Sequence, residues 1–562
     1  MKVSESPTAE FQPDSPDPAA PHPPEPGGRR RSWRSSNAAI LILLLIFAAA
    51  LRFVRLSEPD ALVFDETYYA KDACIYLDLG KERCELGQDS EQSYVHPPTG
   101  KWLIAGGIKL FGYTPFGTRF MSAVFGVGLV LLVYLLADRL FRKRWISTVS
   151  GLLVATDFLL IVESRIAMLD IFLAFFIVLG FLFVAMDRER VLAIRHHFNE
   201  GDAGPPPPRG WRYRLLAGAS CGLALSVKWS AIFALAAAAF LCLSWSYGLW
   251  KVQRRHEKAL SGDGSGGALP GPSNGSGGAL PGPSNGSGGA LPGGVLPRDG
   301  SGGGRLGLVA ATLAFGVLPL AVYVGSYFDF FGRLAKQECA YRVPDSTQKR
   351  FFGEGFNGHP AGECVTGISG VALNFGDLHQ RMAEYHLSLK ATHLYQSKAW
   401  SWPLVLRPVA YYWNWLPGSE GAGDRRAAHI TAMGNVVTWY GAIVAGAWIL
   451  IRSVKKWRPE SLVTAAWAAQ YVPWLLVSRP LFFFYMTPAV PFMAIGLAAG
   501  LNALRSKGGF ARWSVRVYLL LAALTLVLFF PVLTAIPIPY DAWRLLMWIR
   551  NFDCGGLKCG WI

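Results

Sequence analysis

Apolar residues run through this chain in long blocks separated by short polar ones. The stretches 40–50, 129–137, 166–185, 306–324 and 515–530 are almost free of charge. A helix needs roughly 20 mostly apolar residues to cross a bilayer, and the blocks reach or approach that length with their flanks. The pattern predicts eleven spans, near 38–56, 118–140, 145–162, 166–186, 214–228, 230–250, 306–327, 433–451, 461–477, 481–503 and 516–536. The expected fold class is an all-α polytopic membrane protein. Around Lys228-Trp229-Ser230 the run 214–250 reads either as two short spans or as one long helix, and the choice inverts everything downstream.

Charge favours two spans. The chain of 562 residues is 52% hydrophobic and carries a formal charge of +16, which by itself could suggest nucleic acid. The basic residues, however, cluster between hydrophobic runs, at 29–34, 142–144, 188–214, 251–258, 452–458 and 505–516. Such blocks mark cytoplasmic loops and lie against anionic lipid headgroups. Membrane lipids, not nucleic acid, are the expected partners. With a cytoplasmic N-terminus every block falls on the cytoplasmic side, and the C-terminus falls outside, in a multi-pass plasma-membrane protein.

This topology divides the chain. Residues 1–36 read as a disordered cytoplasmic tail, and no cleavable signal peptide is visible. Residues 37–258 form an N-terminal transmembrane module with an external loop at 57–117. Residues 259–304 carry an eleven-residue Gly/Pro/Ser repeat starting at Gly264, Gly275 and Gly286, which reads as a flexible cytoplasmic linker. A C-terminal module, 305–562, has an external loop at 328–432, expected to be folded, and an external tail at 537–562.

Cysteine usage agrees with this. Cys221 and Cys242 fall inside expected spans, while Cys74, Cys84, Cys339, Cys364, Cys554 and Cys559 all fall outside. Disulfides persist in oxidising compartments. Three sequence-local pairs, 74–84, 339–364 and 554–559, are expected among fifteen connectivities. A zinc site on Cys554 and Cys559 lacks apparent third and fourth ligands.

Candidate chemistry collects at the external face. Asp65-Glu66 follows the first span and starts an apparent helix, which places acids at a positive helix end. His96-Pro97-Pro98 is stiff, since each proline fixes its own φ and restricts the residue before it. Lys101-Trp102 then opens an amphipathic stretch. Glu163-Ser164-Arg165, followed by Asp170, lies at a span end, where charged groups are costly and mark function by default. Arg165 reads as a partner for Glu66 or for a lipid phosphate. Lys228, Arg407 and Arg479 are further outer cations suited to an anionic headgroup. His359, His379, His386 and His393 lack metal-ligand spacing and read as substrate-facing or core histidines.

Eight short motifs in order carry a resemblance. They are Phe64-Asp-Glu-Thr-Tyr-Tyr-Ala-Lys-Asp72, Val95-His-Pro-Pro-Thr-Gly-Lys-Trp102, Glu163-Ser-Arg-Ile-Ala-Met-Leu-Asp170 and Ser226-Val-Lys-Trp229. Gln396-Ser-Lys-Ala-Trp-Ser-Trp-Pro403, Arg407-Pro-Val-Ala-Tyr-Tyr-Trp413, Asn435-Val-Val-Thr-Trp439 and Ser478-Arg-Pro-Leu-Phe-Phe-Phe-Tyr485 complete the set. The chain resembles bacterial protein O-mannosyltransferases of glycosyltransferase family 39, particularly those of actinobacteria, over roughly 37–540. It departs from their pattern in the glycine repeat and at Thr99, and its large loop has no room for the β-trefoil domain of eukaryotic relatives.

The resemblance implies a GT-C type fold, a polyprenyl-phosphate-mannose donor and a Ser/Thr hydroxyl acceptor on a secreted polypeptide. The secretion channel would be a further partner. A lipid-phosphate leaving group needs cations to hold its developing charge; Arg165, Lys228, Arg407 and Arg479 are the candidates, in that order. The acceptor hydroxyl needs a base within hydrogen-bond reach. Asp65 is the expected base, with Glu66 orienting the acceptor or pairing with Arg165. His96, Pro97, Pro98, Lys101, His393 and Trp402 are expected on substrate-facing loops. No cofactor and no metal is expected. Another lipid-linked glycosyltransferase acting on a glycan or lipid would share this first loop. A secondary transporter would instead need polar sites at the midplane.

Overall fold

The computed structural model describes residues 29–80, 82, 84, 94–200, 211–260, 309–343, 362–390, 392–416, 425–454, 458–554 and 558–561. The repeat from 261 onward, residues 1–28 of the expected tail and His359 lie outside the described residues. Helices dominate, as an apolar solvent requires, because each backbone polar group must find its partner within the protein.

Helices stand where the hydropathy blocks predict them, with shifted ends. The first, Arg29–Phe53, begins inside the stretch expected to be disordered. Pro115–Phe141 starts with Thr114, whose hydroxyl accepts the Gly117 N–H at 3.1 Å, and stops at Arg142 in the left-handed region. Leu169–Glu200, the longest, packs against Arg212–Leu225, Pro115–Phe141 and Ile232–Leu260. Among the described residues five helices are long and apolar enough to cross a membrane, and seven candidates result if each of two bent pairs is one span.

One of those bends lies within the expected span 145–162. Arg144–Thr156 and Phe158–Arg165 meet at 58°. Asp157 causes the break. Its Oδ1 accepts the Leu160 N–H at 3.1 Å as the cap of the second helix, and its Oδ2 accepts Trp439 Nε1–H at 2.8 Å. Capping carboxylates compete with helix continuation in this way. The bend turns Glu163 and Arg165 away from the axis of the first segment.

The helix after the repeat does not start a separate body. Val309–Gly325 packs on Arg212–Leu225 of the N-terminal module. A wide turn at Leu313–Val317 presents the Ala314 carbonyl directly against Gly218, where any Cβ would overlap it. Close helix approach through small residues is how apolar helices associate in lipid. One large apolar core runs from the first helix to Trp561, and Tyr341, Val343, Val365 and Leu373 form a second, small one.

Small elements cover one end of this bundle. Helices Glu66–Tyr76 and Thr99–Phe111 pack together in the first loop, and Cys74 is bonded to Cys84. In the large loop Tyr341–Arg342 pairs with Cys364–Val365 beside the Cys339–Cys364 disulfide, before the helix Gly367–Ser388. Strands Val409–Trp415 and Arg426–Ala432 are antiparallel, and Ile538–Pro539 adds a third. Between the pairs Ala410↔Thr431 and Tyr412↔Ile430, Tyr411 is the extra residue of a β-bulge. The C-terminal hairpin Phe552–Asp553 with Lys558–Cys559 carries the Cys554–Cys559 disulfide.

Gly218→Val should lower the stability of the solubilised protein by about 1–3 kcal/mol, the usual cost of overpacking. Thermal unfolding in detergent measures it, and an unchanged midpoint would contradict the close helix contact.

Candidate active site

Two arginines organise the chain between the first helix and Asp65. Arg165 donates to the carbonyls of Leu51, Arg52, Val54 and Arg55 at 2.8–3.1 Å, satisfying the C-terminal end of the helix Arg29–Phe53. Arg119 donates to the carbonyls of Leu56, Pro59 and Ala61. It also grips Glu66 with both prongs, Nε to Oε1 at 2.9 Å and Nη2 to Oε2 at 3.0 Å. Glu66 further accepts the N–H groups of Val63 (2.8 Å) and Ala167 (2.7 Å) and is fully buried.

These contacts correct two expectations. Glu66 has four donors on its two oxygens and none left for an acceptor, and its partner is Arg119, not Arg165. The terminal nitrogens of Arg165 are given to carbonyls, so its guanidinium holds the protein's own loop instead of facing outward to a phosphate.

Phe64 separates the two acids from the preceding loop. Its φ of +51° is uncommon for a residue with a Cβ, and such strain collects at functional sites. The Asp65 side chain makes no helix cap, unlike most acids at that position. Among the described residues it accepts one hydrogen bond, from Tyr69 OH at 3.3 Å, and it stays partly accessible. Burial pushes its carboxyl up to about 6, against the attraction of Lys228 and with the repulsion of Asp170. A carboxyl poised there suits proton abstraction near neutral pH.

Around Asp65 the chain assembles charges from distant segments. Lys228 Nζ donates to Asp170 Oδ2 at 2.6 Å and lies over the rings of Phe484 (5.7 Å) and Tyr485 (5.8 Å). The Arg479 guanidinium lies 5.7 Å from the Tyr485 ring and has no carboxylate partner among the described residues. The Phe64 ring stacks on Tyr411 at 4.3 Å, and Tyr411 OH donates to Glu163 Oε1 at 2.7 Å. His96 sits between Tyr69 and His386, with ring centroids 6.1 and 5.5 Å away. Burial first, then the nearby Lys228, hold its imidazole well below the ordinary histidine range.

The structure thus gathers Asp65, His96, Lys228 and Arg479 of the sequence candidates, and Pro97 and Pro98 are buried. Four others are elsewhere engaged. Arg407 donates to Gly560 O (3.0 Å) and Leu394 O (2.9 Å), clamping the C-terminal hairpin. Lys101 is buried against Asp72 at 2.8 Å. Trp402 is a core residue whose indole donates to Ser397 Oγ. His393 is exposed, and its Nδ1 accepts the Tyr395 N–H. Sequence reasoning missed Arg119 and Tyr411. The first left a signal, a cation inside an apolar helix; the bulge that aims the second left none.

Two family models match this chain. Dolichyl-phosphate-mannose-protein mannosyltransferase covers residues 42–259, and the C-terminal four-transmembrane region of protein O-mannosyltransferase covers 372–552. Proteins named polyprenol-phosphate-mannose–protein mannosyltransferase are similar along nearly their whole length. That of Mycolicibacterium smegmatis is 28% identical over 96% of each chain. That of Mycobacterium tuberculosis is 26% identical over 93% of this chain and 92% of its own, and that of Corynebacterium glutamicum is 27% identical over 92% and 94%. The solved S. cerevisiae protein O-mannosyltransferase Pmt1–Pmt2 complex bound to the sugar donor has a TM-score of 0.64 at 15% identity, covering 93% of both chains. That likeness concerns the fold, which is of GT-C type. With both halves matched by models of one family, and with relatives alike from end to end, this chain belongs to the protein O-mannosyltransferases.

Proposed function

We propose that this protein transfers mannose from a polyprenyl-phosphate-mannose donor to Ser/Thr hydroxyls of secreted polypeptides, with Asp65 as general base. The observation that carries the mechanism is one uncapped, partly accessible carboxylate within reach of the Lys228 charge, with Arg479 over the same Tyr485 ring that Lys228 faces. The acceptor oxygen attacks the anomeric carbon as its proton passes to Asp65. The bond from that carbon to the phosphate oxygen breaks, and the electron pair leaves with the polyprenyl phosphate. Direct displacement inverts the anomeric configuration and needs one base only. Lys228 and Arg479 stabilise the phosphate charge as it develops. Glu66 acts at a distance, by locking the helix start that carries Asp65.

Topology is part of the proposal. Eleven spans, with the basic blocks and the N-terminus cytoplasmic, place Asp65 and the six paired cysteines outside the plasma membrane, where a polypeptide leaving the secretion channel passes.

Asp65→Asn should lower transfer of radiolabelled mannose to a Ser/Thr peptide by about 10²–10⁴-fold, the usual worth of a general base. Undiminished transfer would remove Asp65 from that role. Because the base must be deprotonated, kcat/KM should fall about tenfold per unit as pH drops below the Asp65 value of about 6 and level off above it. A flat profile across that region would contradict the assignment. With cations supplied by side chains, transfer should persist in excess chelator; activity lost there and restored by a divalent ion would overturn metal-independent transfer.

A further inference from the structure

Glu163 lies near the end of the bent helix Phe158–Arg165 and is fully buried. Buried carboxylate oxygens are normally hydrogen-bonded, since leaving one bare is costly. Only one oxygen here is satisfied. Oε1 accepts the Tyr411 hydroxyl, whereas Oε2 has no donor among the described residues. No cation among the described residues is within ion-pair distance of Glu163 either. The charges that act on it are those of Asp170, Lys228 and Asp65, so it shares the cluster that holds the base.

The surrounding structure makes this arrangement specific. Tyr411 is the bulge residue of its strand, and bulges next to active sites re-aim a side chain. Here the re-aimed hydroxyl fixes one Glu163 oxygen and leaves the other. The Tyr411 ring also stacks on Phe64, the left-handed residue next to Asp65. Glu163 is therefore held in register with the base through Tyr411 and Phe64.

A bare buried acceptor in such a cluster calls for a small neutral donor. Lys228 sits on Asp170 and not within ion-pair distance of Glu163, and a second cation would leave its own hydration behind. A sugar hydroxyl brings a donor without a charge. We propose that Glu163 Oε2 accepts a hydroxyl of the donor's mannosyl group, which makes Glu163 a residue that determines sugar specificity. This rests on the mannosyl-transfer reading and names the group that selects the sugar. A site built to bond a hydroxyl rejects the analogue lacking it, because its own polar group is then left unpaired.

A donor series tests this in the purified full-length enzyme. Polyprenyl-phosphate mannose comes first, and failure to transfer it would sink the mannosyl-transfer reading independently of Glu163. Four monodeoxy donors, lacking the hydroxyl at carbon 2, 3, 4 or 6, then compare wild type with Glu163→Ala. Wild type should use one of them about 3–10-fold less well than the parent, the scale of one ordinary hydrogen bond. In Glu163→Ala that ratio should fall toward 1 while the other three ratios stay unchanged. Should the Ala protein not fold, Glu163→Gln carries the same comparison. Its amide oxygen still accepts the Tyr411 hydroxyl, and the ratio for that donor should fall several-fold. If every ratio in the folded variant equals that of wild type, Glu163 serves only to hold Tyr411 and the proposal is overturned.

Discussion

The pairing of Arg119 with Glu66 is the contact on which the active end of this molecule depends. Irregular backbone at the edge of a bilayer is tolerated only where its carbonyls are satisfied within the protein. Arg119 collects three of them and a carboxylate at once, and Arg165 collects four more from the end of the first helix. Removing one member of such a buried pair costs about 3–5 kcal/mol, because the other charge is left alone. Two guanidinium groups thus do for this loop what a ladder of hydrogen bonds does for a helix. Phe64 can hold its left-handed backbone only because both of its flanks are anchored.

Adjacent acids therefore part company. Glu66 is turned inward and saturated, while Asp65 keeps one weak hydrogen bond and access to the outside. The same contrast extends to the cations. Arg165 and Arg407 are engaged by carbonyl oxygens, Lys228 is paired with Asp170, and Arg479 lies over Tyr485 with no carboxylate partner among the described residues. A guanidinium whose nitrogens are given to carbonyls is a structural bolt; one whose nitrogens are not can still meet a phosphate.

Sequence alone reveals much of this and misses a definite part. The helical bundle is legible because bilayer solvation imposes a strong, local rule on composition. Asp65 and Lys228 are legible because charges are scarce near apolar runs and stand out. Arg165, Arg407, Lys101 and Trp402 sit in equally conspicuous motifs, yet their partners are set by tertiary folding, which no local pattern encodes. The helix break at Asp157 depends on Trp439, nearly three hundred residues away. The bulge at Tyr411 depends on how one strand registers with the next.

The bulged tyrosine has a consequence for how the protein is made. Asp65, Glu163, Asp170 and Lys228 precede the glycine repeat, whereas Tyr411, Arg479 and Tyr485 follow it. A ribosome that has finished the first half has delivered Asp65 and Lys228 without the strand that braces Phe64 or the Tyr485 ring beneath Arg479. Chemistry therefore waits for the last helices to insert. A truncated chain left in the membrane would not carry a complete set of groups with which to cleave a scarce lipid-linked sugar.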